Sequence, residues 1–445
     1  MRLERLGPGG RPAEVLRALH TRARRLALPA PAALVGHWFD AAAVIAPHLQ
    51  AQPVAPRAAF ASPAPGRPTT GGDPVIGGGW IGYLAYPDGA GRLPAAAGGW
   101  TDSVLRLDAD GCWWYESLTD AGCPPDLAAA ALDPRSEPGA WSMRWTPPDR
   151  ESHHHNVEAC KDAIRAGEVY QSCICTQFTG QLTGRPADFF ADGIEQSQPT
   201  RAAYLQGHWG AVASLSPELY LARHGTTVTS SPIKGTLPIS ADPAALRDSA
   251  KDVAENVMIV DLVRNDLGRL AVTGTVAVTD LLRVRRAPGV WHLVSTVQAQ
   301  LPPATTSADL LEASFPPASV TGCPKIRARQ LISGWESQPR GVYCGTVGMS
   351  SPLAGLELNV AIRTVEFTPT GAAVLGVGGG ITIDSDPGKE WQECLDKARS
   401  IIELTPPGHA RSPRGPDSSI TSPGWNITLP GHRPVQTWID TLPPG

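Results

Sequence analysis

The 445-residue sequence is poor in several features, and each absence narrows its class. No apolar run approaches the ~18–20 residues of a membrane span, so helical membrane insertion is not expected. The leading MRLERLGPGGRP has no apolar core behind its arginines, which argues against a secretory signal. Basic residues are not in excess. The 38 Lys+Arg against 42 Asp+Glu leave a net charge of −4, whereas a nucleic-acid surface needs a basic surplus. None of the eight cysteines (112, 123, 160, 173, 175, 323, 344 and 394) has a CxxC partner. Reduced thiols in a cytoplasmic chain are expected rather than a disulfide framework or a zinc site. The sequence also lacks GxxxxGK[ST], HExxH, a nucleophile elbow and a kinase motif set. It has no Gly-x-Cys-x-Gly loop of the glutamine-hydrolysing kind.

What is present is a globular composition, 42 % hydrophobic and 18 % charged, long enough for one large or two medium domains. The informative part is 150–405. Residues 1–145 carry a helix over Ala13–Leu26 and short strands at Trp80–Tyr86, Ser103–Leu107 and Trp113–Glu116. Residues 50–75 and 85–100 read as loops. The segment 406–445 holds nine prolines and five glycines and reads as a disordered tail. The run His153–His155 reads as a solvated segment before a helix. Strands at Glu218–Arg223 and Thr226–Ser230 flank His224-Gly225 as a hairpin. An amphipathic helix is expected over 246–271, with Val253, Val257, Val260, Val263, Leu267 and Leu270 as its apolar stripe. A second runs from about 387 to 404, with Asp386 as N-cap and Pro387 as its first residue. Mixed strands with segregated helices indicate an α+β fold.

Three groupings could carry chemistry. Asp252 and Glu255 flank the stripe of the first helix, and Glu390, Glu393 and Lys397 that of the second. These carboxylates could converge on one hard cation such as Mg²⁺, or they could be solvated faces with Glu393–Lys397 an i,i+4 pair. Glu218 and Lys234 lie at the same open end of the hairpin, as an acid and an amine or as a surface ion pair. Gly378-Gly379-Gly380, after an apolar strand, and Thr321-Gly322-Cys323-Pro324-Lys325 read as loops whose N–H groups could meet an anion. Tyr343 and Arg363 are expected in strands, with the Arg363 guanidinium facing a carboxylate.

Taken in order, GEVYQ (167–171), SPELYL (216–221), SPIKGTLP (231–238) and KDVAENVMIVDLVRNDLGRLA (251–271) resemble the chorismate-utilising enzymes. So do VWHLVSTV (290–297), SVTGCPK (319–325), RGVYCGTVG (340–348), AIRT (361–364) and GGGITIDSDPGKEWQECLDKA (378–398). The resemblance covers about 255 residues, with a looser match at GGGWIGYLAY (77–86). It implies the anthranilate synthase component I-like fold: large antiparallel sheets in two subdomains, helices outside. It also implies an N-terminal region over 1–145 and a chorismate-binding catalytic domain over 146–405. Gln171 stands where water-adding members carry a lysine base. Lys234 stands where anthranilate synthases carry alanine and aminodeoxychorismate synthases carry lysine. The pattern thus points to the branch that aminates chorismate at C4.

That resemblance implies the remaining roles. Mg²⁺ would sit between the ring carboxylate, Glu255 and Glu393, with Asp252 and Glu390 nearby. Gln171, Thr321, Gly322, Ile362, Gly380 and Lys397 would contact substrate, and Tyr343 and Arg363 the enolpyruvyl carboxylate. Glu218 would be the general acid, Lys234 a nucleophile with a lowered pKa, and His292 a supporting residue. Ammonia would come from a separate glutamine amidotransferase subunit, and a separate lyase would act on the product. The alternatives within reach are an anthranilate synthase or another chorismate-aminating enzyme, and an inactive regulatory subunit of the same fold.

Overall fold

The computed structural model describes residues 1–61 and 75–407. The tail expected over 406–445 lies outside the described residues from 408 on. Among the described residues, two large antiparallel sheets stack with helices on their outer faces, as the α+β reading required. One sheet has twelve strands. It runs from Arg2–Pro8 through Ala32–Trp38, Arg201–Gly207 and Gly210–Ser216 to Thr364–Phe367, Ala372–Ile381 and Gln171–Thr183. The other has ten strands and includes Gly79–Leu84, Thr346–Ser351, Gly355–Asn359, Leu219–His224, Thr227–Ser231, Val290–Gln300 and Ile233–Pro238. Strands from 1–145 and from 146–405 share both sheets, and residues 1–406 pack as one unit. The region 85–100, expected as loop, contributes the strand Ala96–Thr101.

Three apolar layers hold this together. Leu34, Val44, Leu205 and Val212 of the first sheet meet Ile81, Tyr83, Val347 and Met349 of the second in one fully buried cluster. Helices Pro12–Arg25, Pro186–Ser197 and Pro387–Ile402 cover the outer face of the first sheet. Helix Ala250–Gly268 joins the cluster on the second. Each fully buried Leu, Ile, Val or Phe in these layers contributes on the order of 1.5–3 kcal/mol.

Eight elements position the site: strands β1 (Gln171–Thr183), β2 (Leu219–His224), β3 (Thr227–Ser231) and β4 (Ile233–Pro238); helix α1 (Ala250–Gly268); strands β5 (Val290–Gln300) and β6 (Ala372–Ile381); and helix α2 (Pro387–Ile402). The hairpin β2–β3 turns at Gly225-Thr226, where Gly225 takes φ +60°. α2 begins as expected: Asp386 Oδ1 accepts from the Lys389 N–H at 2.9 Å, and Pro387 occupies the first turn. Trp391, Cys394, Ala398 and Ile401 bury one face of it.

Several local expectations give way. The helix expected over 246–271 is broken at Ser249, which ends a short turn of helix (Ala245–Asp248) and caps α1 through its hydroxyl. Its buried face rotates toward Glu255, Asn256, Ile259, Val260, Val263 and Leu267, leaving Val257 exposed. The polar half of that face serves the site, which propensity alone does not reveal. The glycines 378–380 are not a loop but the end of β6, paired with Cys173–Cys175 of β1. Arg363 is not in a strand; it links Gly355–Asn359 to Thr364–Phe367 in a left-handed conformation, φ +51°. Tyr343 lies in the turn before Thr346–Ser351, not in a strand. The run His153–His155 lies inside helix Arg150–Arg165. His153 is buried there against Trp391 and Cys394 because that helix packs on α2. All eight cysteines are unpaired, and no helix among the described residues is long and apolar enough to cross a membrane.

Candidate active site

The glycine end of β6 is the floor on which the site is built. A Cβ at Gly380 would lie 2.2 Å from Gln171 Nε2, 3.0 Å from Glu255 Oε2 and 3.2 Å from Lys234 Nζ. A Cβ at Gly379 would meet Glu390 Oε2 at 3.2 Å and lie 3.7 Å from Glu393 Oε1 and 3.8 Å from Lys397 Nζ. Only glycine lets charged side chains from α1, α2 and β4 approach one stretch of backbone this closely. Gly322 repeats the device. It pairs with Ser172 at φ +146°, and a Cβ there would sit 2.6 Å from the Gln171 carbonyl oxygen.

Charges from three elements converge above this floor. Lys234 Nζ lies 3.6 Å from Glu255 Oε2. Lys397 Nζ lies 2.7 Å from Glu393 Oε1 and donates to the Gly378 carbonyl at 2.8 Å. Lys251, which the sequence reading did not single out, donates to Glu390 Oε1 at 2.7 Å and lies 3.8 Å from Glu255 Oε1. Its i,i+4 spacing to Glu255 was the available signal. Asp252 stands apart. Its side chain packs against Gly235 of β4 and makes no hydrogen bond or ion pair among the described residues.

The hairpin entry places a buried carboxyl. Glu218 is buried; its N–H donates to Ser216 Oγ, and its Oε1 accepts from the Ile233 N–H at 3.4 Å. Burial pushes its carboxyl up to about 7, while Ser319, Lys234, Ile233 and Lys397 pull the other way. The proton is therefore held by desolvation. A cavity of about 10 Å³, room for one water, adjoins it between Ser230, Asp266, Ser314 and Ser319.

Lys234 departs from expectation. Burial lowers its pKa, but Cys173, Glu255, Glu218 and Glu393 raise it by more, so the ammonium is favoured. Burial also pushes Glu255 up, against Lys234 and Lys251. Burial pushes Glu393 up as well, but Lys397, Lys251 and Lys234 together outweigh it and lower its carboxyl.

Several polar atoms here are buried with no protein partner. Both amide atoms of Gln171 are among them, although the residue is fully buried. So are His292 Nε2 and Glu390 Oε2. His292 Nδ1 pairs with Thr236 Oγ1 at 2.9 Å, and burial, with the nearby Arg363 charge, lowers the imidazole to about 4. It is neutral at physiological pH, with Nε2 open. The Arg363 guanidinium makes no hydrogen bond or ion pair among the described residues, although Glu218 is the carboxylate acting on it. The expected carboxylate contact is thus absent. Tyr343 packs its ring on Gly376 of β6, and Ile362 borders the same cluster. Thr321 is fully buried, and its hydroxyl donates to the Pro317 carbonyl at 2.9 Å. Unmet buried polar groups are costly. Four such atoms stand at the floor and walls of this site, where a polar ligand could complete their hydrogen bonding.

A second omission is Arg340. It is almost wholly buried, pairs with Glu336 through Nε (2.8 Å) and Nη2 (2.6 Å), and donates to the carbonyls of Val320 (2.7 Å) and Cys173 (2.9 Å). Glu336 in turn accepts from the Cys175 N–H. This bidentate pair ties β1 to the Thr321 loop.

Whether the carboxylates suit a divalent ion can be judged from their surroundings. No set of three His, Cys, Asp or Glu side chains forms a ready metal cage among the described residues. Mg²⁺ does not require one; it is commonly held by one or two carboxylates plus water and substrate oxygens. Glu255 and Glu390 already share one cationic group, Lys251, and Glu390 Oε2 has no partner. Hard oxygen donors with an unmet lone pair around a shared cation position fit the ion.

Residues 74–403 match the family model described as chorismate binding enzyme. Over 270 residues the chain is 38 % identical to aminodeoxychorismate synthase component 1 of Escherichia coli (strain K12), a match spanning 59 % of this chain and 59 % of that protein's length. The crystal structure of anthranilate synthase component I from Streptococcus pneumoniae TIGR4 superposes with a TM-score of 0.63 at 26 % identity, covering 76 % of this chain and 83 % of that one. The menaquinone-specific isochorismate synthase of Escherichia coli shares the fold, with a TM-score of 0.65 at 18 % identity, covering 90 % of this chain and 94 % of that one.

Proposed function

The chain belongs to the chorismate-binding enzyme family, and on that premise we propose that it is the chorismate-aminating component of an aminodeoxychorismate synthase. It replaces the C4 hydroxyl of chorismate with an amino group to give 4-amino-4-deoxychorismate. The observation that carries this reading is the meeting of the buried Lys234 amine and the unpartnered Gln171 amide at Gly380, with the raised carboxyl of Glu218 held on the Ile233 N–H and acting on Lys234 through its charge. The likeness to the Escherichia coli component 1 supports the same branch.

Each residue then has a task. Arg363 and Tyr343 receive the enolpyruvyl carboxylate; an unpaired guanidinium suits that role. Gly380, Lys397 and the Thr321–Gly322 loop border the ring carboxylate. Glu255, Glu390 and Glu393 would hold Mg²⁺, which when bound offsets the ring carboxylate's charge and that of the carboxylates now favouring the Lys234 ammonium. Once the Lys234 ammonium has given a proton to water, its amine attacks C2, both ring double bonds shift toward C4, and the C4 hydroxyl departs as water with the proton of Glu218. Ammonia then attacks C4, the Lys234–C2 bond breaks, and Glu218 recovers a proton from the new ammonium. Gln171 cannot deprotonate water, which disfavours hydrolytic addition; its amide instead offers hydrogen bonds to a neutral nucleophile or the ring. His292, neutral with Nε2 free, borders Arg363 and supports the ring.

Ammonium is a poor nucleophile, so the reading includes a glutamine amidotransferase subunit as ammonia source and a separate lyase for the product. A cytoplasmic setting suits both partners and the reduced cysteines. The test is incubation with chorismate, Mg²⁺ and an ammonium salt, with mass-spectrometric identification of the product. Aminodeoxychorismate is expected, converted to 4-aminobenzoate only on addition of a lyase. Anthranilate formed without a lyase would instead establish the anthranilate synthase alternative, and an inert chain the regulatory one.

A further inference from the structure

We propose that Lys251 is a built-in counter-cation that holds the Glu255–Glu390 carboxylates until a divalent ion displaces it. The inference rests on the Mg²⁺ site proposed above and concerns what this chain does before that site is loaded. Lys251 is on the exposed edge of α1, one turn before Glu255. It donates to Glu390 Oε1 at 2.7 Å and lies 3.8 Å from Glu255 Oε1. Both carboxylates are nearly buried, whereas the Lys251 side chain keeps 38 % of its accessible surface. Two buried carboxylates from different helices repel each other without a cation between them. Lys251 supplies that cation and so joins α1 to α2.

The other two ammoniums cannot share this exchange. Lys234 is buried at the mouth of the hairpin beside Glu255 Oε2, and Lys397 is tied to Glu393 and the Gly378 carbonyl. Of the three, Lys251 is the one that meets only these two carboxylates and is also partly exposed. Its long, partly exposed stem can swing its head into water without uncovering apolar core.

Charge counting gives the exchange a purpose. With Lys251 in place, Lys234, Lys251, Lys397 and Arg363 stand against three carboxylates, a net of about one positive charge before any ligand binds. Replacing Lys251 by a divalent ion raises that to about two, which matches a dicarboxylate ligand. Keeping both would crowd two cations onto the same oxygens. The lysine thus keeps the two helices together in the empty site and sets a threshold for metal entry.

Isothermal titration of the full chain with MgCl₂, without chorismate, tests this directly. Lys251→Met keeps the stem and removes the charge. It is expected to bind Mg²⁺ more tightly than the natural chain, on the order of tenfold, and to melt at a lower temperature without metal but not with saturating Mg²⁺. Lys251→Arg retains the charge and should bind Mg²⁺ no more tightly than the natural chain. Unchanged or weaker Mg²⁺ binding by a folded Lys251→Met, or equal tightening by Lys251→Arg, would overturn the exchange. Absence of Mg²⁺ binding in every form, including the natural chain, would remove the metal site itself.

Discussion

Exchanging the Glu218 carboxyl for an amide isolates one physical effect. Glu218→Gln keeps the side chain's size and the acceptor for the Ile233 N–H but cannot ionise. Burial raises the Glu218 carboxyl from its ordinary 4.5 to about 7. A folded-state value above the unfolded one means that the native state binds the proton more tightly. That contribution to stability is fully present below about pH 4.5 and is lost as pH rises through about 7. A gap of roughly 2.5 pH units at about 1.36 kcal/mol each amounts to about 3 kcal/mol. The glutamine variant escapes this loss. Its stability relative to the natural chain should therefore climb between pH 4.5 and 7, then level off at up to about 3 kcal/mol. Urea unfolding followed by tryptophan fluorescence at pH 5, 6, 7 and 8 reads this directly. Turnover should meanwhile fall by at least about a hundredfold, because the leaving hydroxyl loses its proton donor. A stability difference that is flat with pH, or that shrinks as pH rises, would refute the argument that desolvation holds the proton.

Three further outcomes follow from the same geometry. Lys234→Met should abolish amination at C4 while leaving the chain folded, checked by mass spectrometry of the chorismate reaction beside a circular dichroism spectrum; undiminished product would remove the amine from the mechanism. Gly380→Ala drives a methyl to within 2.2 Å of Gln171 Nε2 and 3.2 Å of Lys234 Nζ, so activity should drop more than about tenfold with a small stability loss; normal kinetics would show that the floor need not be bare. Arg340→Met strands Glu336 and two carbonyls without their donor and should cost about 3–5 kcal/mol, read as a lowered melting temperature; a shift equivalent to less than about 1 kcal/mol would contradict its role in clamping β1.

Features set by local spacing were legible in the sequence. The capped start of α2 at Asp386-Pro387 and the hairpin about Gly225 each depend on a few neighbouring residues. The apposition of Glu218 and Lys234 followed from the hairpin alone. Features that depend on distant partners misled local reading. Gly378–Gly380 looked like a loop because three glycines break most strands; they are strand because β1 pairs with them and side chains from α1, α2 and β4 need the room. Val257 looked like core because it has helical spacing, yet the polar pair Glu255–Asn256 takes the inward face.

The order of the residue types along the chain therefore determined the family and the capped start of α2, since these are properties of residues and short-range periodicity. Tertiary structure decided their ionisation and their company. A carboxyl at position 218 holds its proton because the fold takes it out of water. An amine at 234 keeps its own because carboxylates from both helices gather around it. Lys251 matters because α2, about 140 residues later, brings Glu390 beside it. Solvation and Coulomb energy depend on distance in space, and only the folded chain sets that distance.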